Sequence, residues 1–176
     1  GITILQQGGN AIDAAIAAAA ALTVVEPTSN GIGSDAFAIV WVDGKLHGLN
    51  ASGPAPQAAT IEALKALGHD VMPNHGMLPV TVPGAPAAWA ALSERFGKLP
   101  FADLLAPAIA LAEEGFAVTP IIHQMWEEAF HHYATYPDAA FQPWFDTFAP
   151  KGRAPRPGEL WFAPGHAKSL AAIANT

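Results

Sequence analysis

The chain has 176 residues, no cysteine and a formal net charge of −7, with eight Lys and Arg against fifteen Asp and Glu. That balance argues against a nucleic-acid partner, because phosphate binding needs clustered positive charge, and the missing cysteine excludes disulfides, thiol catalysis and thiolate metal sites within these residues. Hydrophobic residues reach 51% and charged ones only 13%, which describes a folded chain with much of its surface facing other protein; the longest apolar run, Ala14–Leu22, is far too short for a membrane span.

In chain order, Gly8-Gly9-Asn10 followed by "AIDAAIAAAAALTVV" predicts a helix over 11–24. Asn10 can accept from the backbone N–H of Asp13, and Asp13 favours the positive end of the helix. From Ala14 onward this helix is apolar all round apart from Thr23, the pattern of a helix buried on several sides. Residues 36–42, "AFAIVWV", predict a strand that turns at Asp43-Gly44 into "LHGLNA". Phe37, Ile39 and Trp41 point one way and Ala36, Ala38, Val40 and Val42 the other, so both faces are apolar and both are expected to be covered. One hairpin cannot provide that cover, and the remaining strand candidates, Val80–Val82 and Leu160–Ala163, are short. The sheet is expected to be incomplete.

The rest reads as mostly helical. Thr60 caps a short helix at 61–67, and "GAPAAWAALSERFG" carries Trp89, Leu92 and Phe96 on one stripe. "FADLLAPAIALAEEG" follows Pro100, with Pro107 inside it as a candidate kink. Thr119-Pro120 opens a helix through about Tyr133. Residues 134–158, with five prolines, read as an extended loop, and "AKSLAAIAN" begins a last helix. No repeat or interdomain linker stands out, so residues 1–176 are expected to form a single domain or part of one.

Local patterns give few candidate sites. Gly31-Ile32-Gly33 precedes a strand, the reverse of a phosphate-cradling loop, and predicts instead a corner with positive φ. His123, Glu127 and His131 share a helix face at i, i+4, i+8 and could bind a metal, although the H-E-x-x-H arrangement is absent; a solvated face is the plainer reading. None of the serines sits in a G-x-S-x-G elbow, and Asp103, Glu113 and Glu114 read as solvated helix residues.

Three longer stretches carry more. "ILQQGGNAIDAAIAAAAALTVVEPTSNGIGSDAFAIV", "VTVPGAPAAWAALSERFGKLP" and "FADLLAPAIALAEEGFAVTP" together resemble the large-subunit part of the gamma-glutamyltranspeptidase family of N-terminal-nucleophile hydrolases. The resemblance implies an α/β fold, a four-layer α/β/β/α sandwich with strands from two subunits cut from one precursor. It implies a nucleophilic threonine at the start of the small subunit, using its own α-amino group as base, and no metal or organic cofactor. That threonine motif does not occur among these residues and is expected beyond Thr176. The chain is therefore expected to be a piece of a large subunit, short at both ends and inactive alone, with the small subunit and a small γ-glutamyl or acyl-amide substrate as its partners.

The resemblance also singles out "NASGPAP". Family members acting on glutathione-like substrates carry an Arg-Glu pair shortly before an Ala-Pro, the Arg gripping the glutamyl α-carboxylate. Ser52 stands in the Arg place and Gly53 in the Glu place. A serine offers one neutral hydrogen bond where Arg offers a charged bidentate clamp. The chain is thus more similar to acylase-like relatives, with 50–56 as the substrate loop and 28–35 as the corner that sets the strand; a plain turn serine is the other reading of Ser52. A non-catalytic scaffold on the same half-fold, and a cephalosporin- or glutaryl-type acylase, are the rival readings.

Overall fold

The computed structural model describes residues 1–176. In chain order the elements are α1 (Ile2–Gln6), α2 (Ala11–Val25), β1 (Ala36–Val42), β2 (Lys45–Ala51), α3 (Ile61–Ala66), α4 (Ala85–Phe96), α5 (Phe101–Glu114), β3 (Phe116–Ala117), α6 (Pro120–Tyr133), a 3-10 turn (Ala139–Phe141), α7 (Gln142–Phe148), β4 (Leu160–Trp161) and α8 (Pro164–Ala174). The chain is α/β and helix-rich, with two separate two-stranded antiparallel sheets, β1-β2 and β3-β4. It divides into two compact units, residues 1–32 with 89–176, and residues 33–88.

The larger unit is built on α5, which packs against both α2 and α8. Ile16, Ala17, Ala20 and Val24 of α2, Leu104, Leu105, Ala108 and Ala112 of α5, and Ala167 and Leu170 of α8 are all buried. Alanine at the contact positions lets helix axes approach toward the short end of the usual interhelical range, ~8 Å. The expectation that α2 is buried on several sides holds only in part, since Leu22 stays 41% exposed. Pro107 lies within α5, which continues through it to Glu114.

The start of α2 is held by a reciprocal box. Asn10 Oδ1 accepts from the amides of Ile12 and Asp13, and Asp13 Oδ2 accepts from the Asn10 amide. The same two side chains reach the link between α4 and α5. Asn10 Nδ2 donates to the Phe96 carbonyl at 2.7 Å, and the Lys98 amide donates to both Asp13 oxygens at 3.1 Å. Asp13 is fully buried, so one carboxylate caps a helix and ties two segments that lie 85 residues apart.

A second buried polar contact joins α2 to α8. Thr23 Oγ1 donates to the Ala20 carbonyl at 2.7 Å, and so accepts from His166 Nε2 at 3.0 Å. Burial pushes the His166 imidazole below its ordinary range. A base with a lowered folded pKa contributes stability that is complete above its unfolded value, ~6.5, and is lost as the pH falls through the folded value. Acidifying the complete protein from pH 7.5 to 5 is therefore expected to lower its melting temperature more than that of His166→Gln. Identical pH slopes for the two proteins would exclude His166 as the source.

The stretch 134–158 is not the plain loop its prolines suggested. Asp138 caps the 3-10 turn through the Ala140 amide at 2.9 Å, and α7 follows with Pro143 in its first turn, where a missing N–H costs nothing. Trp126 of α6 is buried and donates from Nε1 to the Phe148 carbonyl at 2.9 Å, while its ring meets Trp161 of β4 edge-on at 4.8 Å. Residues 151–159 wrap around Glu159, which accepts from Lys151 Nζ, Arg153 and the Arg156 amide. The Arg153 side-chain bond first, then the Arg156 amide and Lys151, push the Glu159 carboxyl down to about 2.

The smaller unit is the β1-β2 hairpin with its loops and α3. Pairing runs from Ala36↔Ala51 to Val42↔Lys45, and Asp43 (φ 51°) with Gly44 (φ 73°) forms the left-handed two-residue turn that Asp-Gly predicts. Only one face of β1 is covered: Val40 is buried, whereas Phe37, Ile39 and Trp41 are 68%, 81% and 68% exposed. The other face lies bare, as expected of an incomplete sheet, because the hairpin is paired only with itself. Val80–Val82 forms no strand, while Leu160–Trp161 does pair, with Phe116–Ala117.

Candidate functional site

The loop that leaves β2 is fixed by a second loop, 81–84, that enters α4. Gly53 has φ 75°, and a Cβ built on it would lie 1.8 Å from the Val82 carbonyl oxygen. Gly84 answers it: a Cβ there would lie 1.8 Å from the Ala51 carbonyl oxygen. Each backbone therefore occupies the space that a side chain on the other would need. Val82 N donates to the Pro54 carbonyl at 3.1 Å, and Thr81 Oγ1 reaches the Ser52 carbonyl at 3.5 Å. The first turn of α4 is seated on the strand corner, where the amides of Gly84 and Ala85 both donate to the Ser34 carbonyl.

Within this frame the Ser52 amide donates to Asn50 Oδ1 at 3.0 Å, an Asx-type turn that sets the direction of the loop. Ser52 is half-buried, and its backbone carries every hydrogen bond it makes within the chain. Its hydroxyl is left available to a molecule outside the loop. Gly53 contributes conformation, since only a residue without Cβ fits both its φ and the neighbouring carbonyl.

The other candidates separate from this loop. Gly33 does not have the positive φ expected of it; the left-handed positions nearby are Gly44 and Gly53. His123 Nδ1 is bound to the Pro155 carbonyl at 2.8 Å, and no three His, Asp or Glu side chains come together closely enough to hold an ion. Asp103, Glu113 and Glu114 are exposed on α5, as read from the sequence. No helix is long and apolar enough to cross a membrane. What reasoning from the sequence missed is the role of 81–84. A signal was present in the two glycines beside prolines, "SGP" and "PGAP", since a glycine often marks a place where another backbone approaches closely.

The sequence profile of the gamma-glutamyltranspeptidase family matches residues 1–176. Among solved structures, a cephalosporin acylase from Bacillus halodurans superposes with a TM-score of 0.95 at 61% identity, over 98% of this chain and 33% of that one. A gamma-glutamyltranspeptidase from Helicobacter pylori superposes at 0.85 with 30% identity, over 98% of this chain and 50% of that one. An oxamate amidohydrolase proenzyme from Klebsiella pneumoniae is 37% identical over 99% of this chain and 33% of its own length. The chain thus spans about a third of the length of the curated relatives it matches.

Proposed function

The chain belongs to the gamma-glutamyltranspeptidase family, and on that premise we propose that it is the N-terminal part of the large subunit of an amidase made from one precursor. Residues 1–176 then form part of a single domain that the rest of the protein completes as an α/β/β/α sandwich. The observation that carries the reading is the close likeness, along nearly the whole chain, to an acylase. The exposed face of Phe37, Ile39 and Trp41 supports it, because a paired and covered sheet needs strands from elsewhere.

In the complete protein, the hydroxyl of the small subunit's N-terminal threonine attacks the amide carbon of the substrate. The threonine's α-amino group takes the hydroxyl proton and passes it to the departing amine, leaving an acyl ester. Water or a second amine then attacks that ester and restores the free threonine. No metal or organic cofactor enters these steps.

This chain supplies Ser52 to the acyl end of the substrate, held out by Gly53 on the loop just described. A single neutral hydroxyl suits an acyl group recognised without a guanidinium clamp, so acylase-type substrates are preferred to γ-glutamyl ones. Ser52→Arg in the complete protein is expected to raise kcat/KM for a γ-glutamyl anilide at least about tenfold, the order of one charge-assisted hydrogen bond. An unchanged rate in that assay would remove Ser52 from the substrate site.

A further inference from the structure

The larger unit carries a half-open cleft of about 360 Å³ between α6, α7 and the segment that follows α2. No residue of β1, β2 or the 50–56 loop lines it. Trp126, Tyr133, Trp144 and Phe148 form its aromatic wall, Thr28 adds a hydroxyl, His132 an imidazole, and Glu128 is its one carboxylate. No lysine or arginine reaches it. We propose that this cleft binds a small organic ammonium ion. The reading stands apart from the amidase proposal and does not depend on it.

Four observations converge on that ligand class. The cleft is concave, lined by large rings, and of a volume within the size range of small-molecule sites. The rings are set at angles to one another: Trp144 lies 4.7 Å from Tyr133 at 38° and 5.7 Å from Phe148 at 42°. Tilted aromatic faces around one space attract a cation through their quadrupoles. Trp126 spends its N–H on the Phe148 carbonyl, so it presents only apolar surface.

Charge points the same way. Glu128 is exposed, and its one hydrogen bond within the chain is from the neutral amide of Gln124, at 3.3 Å. Glu128 and Tyr133 belong to the last two turns of α6, the end of a helix that carries partial negative charge. An anion would meet a carboxylate and a helix C-terminus here. A neutral apolar molecule would gain the rings and make no use of either.

The test is calorimetric titration of choline chloride into the complete protein at pH 8. The same titration with 3,3-dimethyl-1-butanol, a neutral molecule of the same shape, isolates the charge. Choline is expected to bind saturably at one site per chain, at least about tenfold tighter than the alcohol. Trp144→Ala should weaken choline at least tenfold, and Glu128→Gln, a surface change that leaves folding and amidase activity intact, about fivefold. Sodium chloride at matched concentration should give no saturable heat. Absence of saturable choline binding, equal binding of the alcohol, or full binding by Glu128→Gln would each overturn the proposal.

Discussion

Replacing Gly84 by alanine in the complete protein is expected to lower kcat/KM by about two orders of magnitude. The new Cβ would stand 1.8 Å from the Ala51 carbonyl oxygen, and ordinary contact begins near 3.4 Å. The two backbones must then part by about 1.6 Å, the difference between those values. No rotamer change relieves the clash, because the obstacle is main chain on both sides. Ala51 directly precedes Ser52, so the displacement is passed to the residue proposed to meet the acyl group. A misplacement of about 1 Å at a reacting site costs on the order of a hundredfold in rate. Gly48→Ala is the control: a Cβ there meets nothing within 4 Å, and its φ is ordinary. Activity of Gly84→Ala within twofold of Gly48→Ala would mean that the two loops do not position the site.

Asp13→Ala is expected to destabilise the larger unit by about 3 kcal/mol. The carboxylate is fully buried and accepts from the amides of Asn10 and Lys98. Alanine leaves both N–H groups without an acceptor, and each unpaired buried group costs about 1–3 kcal/mol. The capping box is lost as well, so helix α2 and the α4–α5 link loosen together. A thermal midpoint lower by about 6 °C is the expected reading in a scanning experiment. Asp13→Asn keeps one acceptor oxygen and should recover part of that loss. A midpoint within 1 °C of the parent for Asp13→Ala would show that Lys98 and Asn10 find other partners.

Much of this arrangement was legible in the sequence because local chemistry decided it. Asn10, Thr60 and Thr119 accept the helix amides that their positions predict, and Asp43-Gly44 makes the turn that its left-handed preference requires. Elements governed by distant partners were not legible. The two-residue strands Phe116–Ala117 and Leu160–Trp161 exist only because each supplies the other's hydrogen bonds. Helix α7 was hidden by the prolines around it, although Pro143 sits in the first turn, where helices accept proline. Helix α1, of five residues, has no side-chain cap to announce it.

The candidate site divides along the same line. Ser52 and Gly53 were reached through resemblance to a family motif, and the Asn50 turn that aims the loop is a local feature. The mutual exclusion of Gly53 with Val82 and of Gly84 with Ala51 joins residues about thirty positions apart, so the glycines beside prolines mark a close approach without naming the partner. The exposed row of Phe37, Ile39 and Trp41 shows a further kind of illegibility. An apolar strand face announces that something covers it, and the scarcity of further strands in this chain places that cover elsewhere without saying which residues supply it.

The most direct test is intact-mass analysis and N-terminal sequencing of the product of the uninterrupted gene, separated on a denaturing gel. The proposal predicts two chains, the larger containing residues 1–176 and the smaller beginning with threonine. A single uncut chain that retains full amidase activity would contradict it, because no free N-terminal threonine could then be the nucleophile.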